Sequence, residues 1–134
     1  VVMCRNESDY DENFVCQKPA TDLGRDVRVW VLGGKTVASI LRVSDTDFRS
    51  NYCLGGRAEI YDLSKAETEK VQKIIDLVTP LGAHYYGIDF LFDNGRMIFN
   101  ELEDTVGARM IYDKTDIDII DMYIKYIKSK CLPY

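Results

Sequence analysis

Residues 87–103 read GIDFLFDNGRMIFNELE, two apolar strands joined by a turn at Asp93-Asn94-Gly95. Side chains alternate along a strand, so the loop length decides which of them share a face. A two-residue loop pairs Asp93 with Arg96 and sends Asp89 and Glu101 to opposite faces. A three-residue loop, with Gly95 left-handed, pairs Phe92 with Arg96. Ile88, Phe90, Phe92, Ile98 and Leu102 then share one face, and Asp89, Leu91, Phe99, Glu101 and Glu103 the other. This second register gives one oily face and one acidic face, and it is the expected one. It makes Asp89 and Glu101 diagonal neighbours, about 7–8 Å apart at the backbone.

Three carboxylates on one sheet face repel one another unless something neutralises them. A hard divalent cation with oxygen ligands is the usual solution. The plainer alternative is an acidic strand end facing solvent.

The chain has 134 residues, enough for one domain with a core of its own. Lys and Arg number 17 against 22 Asp and Glu, a net charge of -5. That balance argues against generic nucleic-acid binding, which needs a basic surface. No apolar run is long enough to span a bilayer, and no signal peptide is visible, so no membrane partner is expected. Cys4, Cys16, Cys53 and Cys131 are scattered without a CxxC pair, and His84 completes no familiar zinc spacing with them. Four reduced thiols in a cytoplasmic protein are the expected reading.

Going along the chain, Val1-Val2-Met3 looks like the end of a strand, so the chain is expected to be a piece of a longer one. Residues 1–13 form a lead-in, with Arg5–Asn13 a polar loop, and residues 14–129 form the core. Phe14–Gln17 reads as a short strand. Asp26–Leu32 alternates cleanly, with Val27, Val29 and Val31 on one side and Asp26, Arg28, Trp30 and Leu32 on the other. Gly33-Gly34 turns it into a partner, Lys35–Val43. Residues 44–56 form a polar loop, and Ala58–Leu63 another strand. Ser64 and Glu67 are spaced as a capping box for a helix running to about Val78. Its stripe is Val71, Ile74, Ile75 and Val78. After the acidic hairpin and an irregular segment, 104–114, Thr115 is placed to cap a last helix, Asp116 to about Lys128. Ile119, Ile120, Tyr123, Ile124 and Ile127 give that helix its apolar side. Short turns between strands predict an α+β domain, an antiparallel β-sheet with helices packed on one face.

Beyond the carboxylates, Asp26 and Arg28 share the polar side of their strand, where a cross-sheet ion pair is the plain alternative to a site. Arg49, Ser50 and Asn51 precede Gly55-Gly56, and an Arg beside permissive backbone suits phosphate or carboxylate. A simple turn accounts for the same residues. His84 reads as structural.

Taken in order, Gln17, GRDVRVWVLGGK (24–35), DFRSNYCLGG (47–56), GIDFLF (87–92) and NELE (100–103) resemble the C-terminal lobe of ATP-grasp ligases. The nearest likeness is to the RimK-type carboxylate–amine ligases, which add glutamate or related amino acids. It covers about Phe14 to Ile127. The resemblance implies an ATP clamp between two α+β lobes, and chemistry that activates a carboxylate as an acyl phosphate for attack by an amine. It implies ATP and Mg2+ as cofactors, with Mn2+ as a substitute. Asp89 and Glu101 would hold the metal, with Glu103 as third ligand where the family usually has Asn. Gln17 would sit near adenine, with Lys18 standing where the family often has Glu. Asp26, Arg49, Ser50 and Asn51 would contact the nucleotide. Arg28, Arg49 and Asn51 would serve the acyl phosphate or the acceptor. Such chemistry needs positioning and charge neutralisation rather than a protein nucleophile.

Nothing before Phe14 matches the family's preceding domain or its lysine-bearing lobe. That N-terminal lobe is the implied partner, and the chain alone is expected to be incomplete as a catalyst. Exposed apolar surface on an unpartnered lobe favours homo-oligomers. Lys18 and Glu103 support a different reading, a degenerate ATP-grasp-like domain that binds nucleotide, metal or a protein without catalysis. A calcium module built on the same carboxylates is a third reading.

Overall fold

The computed structural model describes residues 3–9, 13, 15–48 and 56–131. Its strands are β1 (Asp22–Leu32), β2 (Lys35–Val43), β3 (Arg57–Ile60), β4 (Tyr85–Asp93) and β5 (Arg96–Glu103). They form one sheet in the order β3-β2-β1-β4-β5, and every pairing is antiparallel. The helices are α1 (Lys65–Val78), α2 (Arg109–Lys114) and α3 (Ile119–Cys131). The α+β class and the antiparallel sheet are as the sequence predicts.

The helices, expected on one face, divide between two. Val27, Val29 and Val31 of β1 join Ile88, Phe90 and Phe92 of β4 against Val71 and Ile75 of α1. Trp30, Leu32 and Ile40 bury on the opposite face, under Val106, Met110, Ile111 and Ile119. The cause lies in β1, whose apolar residues from Val29 to Leu32 occupy both faces, so each face needs a cover. Ile75 is almost fully buried, and burying such a side chain is worth about 1.5–3 kcal/mol. The capping box forms as predicted. Glu67 N–H donates to Ser64 Oγ, and Ser64 N–H donates to the Glu67 carboxylate at 2.8 Å. A 3₁₀ turn, Thr79–Leu81, then ends at Gly82.

The β4–β5 turn has two residues, not three. Asn94 and Gly95 both have positive φ, 49° and 70°, which is the backbone of a type I′ hairpin. Asp93 pairs with Arg96, Leu91 with Ile98 and Phe90 with Phe99. Ile98 and Phe99 are therefore on the faces opposite to those expected. Beyond them Asn100 is an extra residue, because the next pair is Asp89 with Glu101. That bulge restores Glu101 and Glu103 to the face of Asp89. Thr21 and Asp22 hold the hairpin tip. Asn94 N–H donates to Thr21 Oγ1 at 2.6 Å, and Gly95 N–H to the Asp22 carboxylate at 3.1 Å.

A second bulge lies in β2. Val31 pairs with Thr36 but Trp30 with Ala38, so Val37 is extra and Arg42 comes opposite Asp26.

Other differences are local. Val15–Gln17 is not a strand, and Phe14 lies outside the described residues. The polar segment 5–13 contains a 3₁₀ turn at Glu7–Asp9. β1 begins at Asp22, before the predicted Asp26. The segment expected to be irregular holds α2. Thr115 ends α2 by donating to Ile111 O, and Asp118 caps α3 through Asp121 N–H at 2.9 Å. Of the five residues expected to form the buried side of α3, only Ile119 is buried.

Candidate functional site

The two hairpins meet along β1 and β4, where Arg28 lies directly opposite Asp89. Their faces are those of Trp30 and Gly87, at the end of the sheet beyond the α2 cover. Arg28 grips the Asp89 carboxylate with both arms, Nε and Nη2 each at 2.7 Å. The same Nη2 donates to Glu103 at 3.1 Å. Such forked pairs are strong and directional.

Arg42 makes a second fork from β2. Its Nε and Nη2 reach Asp26 at 2.5 and 2.8 Å, and Nη2 also reaches Asp89 at 2.7 Å. Asp89 is 3% exposed and Arg42 7%. Burial by itself would push the Asp89 carboxyl up. The Arg28 hydrogen bond and the charges of Arg42 and Arg28 outweigh it and hold the carboxyl below its usual range. Burial by itself would likewise lower Arg42, and Asp26 with Asp89 outweighs it, so the guanidinium is held above its usual range.

Asp26, Arg28, Asp89 and Glu103 are thus joined in one network. Asp26 and Arg28 do make cross-sheet ion pairs, each with a partner on another strand. Glu101 is exposed and lies opposite Asp89, with no ion pair or hydrogen bond to its carboxylate among the described residues. Gln17 and Lys18 lie in the exposed segment leading into β1 and are not joined to the network. Arg49, Ser50 and Asn51 lie outside the described residues. The segment before them is pinned to β1. Gly24 N–H donates to Phe48 O at 2.9 Å, and Ser44 N–H donates to Gly24 O at 2.7 Å.

Arg42 is the residue that sequence reasoning missed. Its signal was a lone Arg inside the apolar strand KTVASILRV. Counting back from Gly33-Gly34 pairs Asp26 with Leu41, so only the Val37 bulge reveals the Asp26–Arg42 match.

Among the described residues no group of three or more His, Cys, Asp and Glu side chains is placed to hold a metal ion as it stands. In kind, the donors suit a hard divalent cation, being carboxylate oxygens. Among the described residues, Asp26, Asp89, Glu101 and Glu103 share this face with Arg28 and Arg42, four carboxylates to two guanidiniums.

A family model described as a RimK-like ATP-grasp domain matches residues 5–127. A probable α-L-glutamate ligase of Methanococcoides burtonii is 34% identical over 107 residues, covering 79% of this chain and 35% of that protein. A probable α-L-glutamate ligase of an Enterobacter species is 35% identical over 111 residues, covering 82% of this chain and 36% of that protein. The chain thus spans about a third of the length of these relatives. A solved structure of the ATP-grasp ligase PsnB, complexed with a phosphomimetic variant of its minimal precursor, Mg and ADP, superposes with a TM-score of 0.62. It is 19% identical, covering 85% of this chain and 34% of that one, a likeness of fold.

Proposed function

Since the chain belongs to the RimK-like ATP-grasp domain family, we propose that the protein carrying it is an ATP-dependent ligase joining a carboxylate to an amine through an acyl phosphate. This chain supplies the face that meets the metal and the nucleotide phosphates. The names of its relatives support an amino-acid or peptide-type substrate. The observation that carries the reading is Glu101 opposite Asp89, on a face where Arg28 and Arg42 are already aimed.

Asp89, Glu101 and Glu103 would hold magnesium. Bound there, it would neutralise phosphate charge and polarise the phosphoryl oxygens. Arg28 would turn from Asp89 towards the oxygens that gain charge during transfer. Arg42, the more buried of the two, would keep Asp26 and Asp89 in position. Arg49 and Asn51 would serve the acyl phosphate and the acceptor, and Ser50 the nucleotide phosphates. The pinning of Phe48 to Gly24, two residues from Asp26, supports that placement. Gln17 and Lys18 would contact the base and ribose from the segment ahead of β1.

The test is magnesium-dependent ATP turnover by the full polypeptide that carries this chain, with carboxylate and amine supplied. Glu101→Gln should abolish turnover without changing thermal stability. A variant with wild-type rates would remove Glu101 from the metal set.

Glu103 supports a second reading, binding without turnover, because its carboxylate is taken up by Arg28 where the family usually has an uncharged Asn. Saturable binding of magnesium–ATP with no turnover, in a polypeptide lacking the phosphate-binding lysine of the preceding lobe, would favour it.

A further inference from the structure

We propose that α3 pairs with α3 of a second copy of this chain, antiparallel, along a seam of Ile120, Ile124, Ile127 and Cys131. The inner side of α3 is already used. Ile119 is buried, Tyr123 stacks on Tyr85 with ring centroids 5.2 Å apart, and Tyr126 OH meets His84 Nδ1 at 2.9 Å. These contacts fix the rotation of the helix and leave the next stripe outward. Ile120 is 56% exposed, Ile124 45% and Ile127 41%, and Cys131 is exposed.

The spacing of that stripe is the argument for a helical partner. Ile120, Ile124, Ile127 and Cys131 follow one another at four, three and four residues. That is the alternation of a coiled-coil seam. Apolar residues at this spacing form the stripe by which a helix packs against a partner.

Charge selects the partner and the direction. The first turn of α3 and the residue ahead of it are acidic, with Asp121 and Asp118. Its end is basic, with Lys125, Lys128 and Lys130. Asp121 and Lys128 flank the seam on the same edge, one heptad apart. In an antiparallel pair that edge meets its own counterpart, so Asp121 of each helix faces Lys128 of the other. Two-fold symmetry makes the contact twice. Antiparallel packing also sets each helix's positive end beside the other's negative end. Asp121 pairs within its helix with Lys125 at 2.6 Å, so the new contact adds to an existing ion pair. One helix pair makes a small interface, and the dimer should be weak and concentration dependent.

Sedimentation velocity on the 134-residue chain over a wide concentration range tests this. The wild type should shift from monomer to dimer. Ile124→Glu should stay monomeric with unchanged far-ultraviolet circular dichroism. Asp121→Lys and Lys128→Asp should each weaken association several-fold, and the double variant should recover it. That recovery cannot come from the intrahelical pair, because Lys125 is unchanged. A wild type that stays monomeric, association that survives Ile124→Glu, or a double variant without recovery overturns the proposal. So does a longer polypeptide carrying this chain that remains monomeric throughout.

Discussion

Glu101 lies opposite Asp89 because β5 carries one residue more than its two-residue turn requires. Asn100 takes up the excess. Deleting Asn100 should therefore keep Glu101 opposite Asp89 and leave a regular ladder. Cross-strand NMR contacts between residues 89 and 101 should persist. Inserting one Ala between Asn100 and Glu101 should abolish those contacts, since a one-residue slip turns every following side chain to the other face.

Arg42 is buried between two carboxylates, so its removal takes a charged partner from each, with Arg28 left on Asp89. Arg42→Met should cost about 3–5 kcal/mol in urea denaturation. Asp89→Asn should also destabilise, by leaving Arg28 and Arg42 short of a partner. Glu101→Gln, on an exposed side chain, should stay within about 0.5 kcal/mol of wild type. Activity lost with Asp89→Asn would thus mix chemistry with folding, which makes Glu101 the cleaner probe.

Asp89 titrates below its usual range in the folded chain. The unfolded chain then binds that proton more readily, so stability rises with pH through the window. The contribution is complete above the unfolded value, about pH 4, and is lost as pH falls through the folded one. Thermal unfolding should show wild-type stability dropping more steeply than that of Asp89→Asn below about pH 4.

Gly87 lets Val106 close over β4. A Cβ there would lie 2.9 Å from Val106 Cγ2 and 3.4 Å from Glu103 Cβ. Gly87→Ala should cost about 1–3 kcal/mol by overpacking. Adding Val106→Ala should recover part of that loss, and a double-mutant cycle measures the coupling.

Local chemistry was legible in the sequence. Ser64 and Glu67 formed their capping box, Val71 and Ile75 went inside, and Asn94-Gly95 made a turn. The face shared by Asp89, Glu101 and Glu103 was also reached, though by way of the wrong loop length. What stayed hidden was register. Val37 and Asn100 look ordinary in sequence, yet each shifts the pairing of everything beyond it, and without them Arg42 could not be matched to Asp26. The fate of α3 was hidden for another reason. Its apolar residues fill two adjacent stripes, and periodicity does not say which of them meets the sheet.

Neighbouring strands stand about 4.8 Å apart, yet one side chain from β2 crosses β1 to reach β4. Arg42 is in effect a crossbar over three strands. Drawing Asp89 away from it would tug on Asp26 through the same guanidinium. Whatever grips the fourth strand is thereby felt on the first, close to where Gly24 holds Phe48.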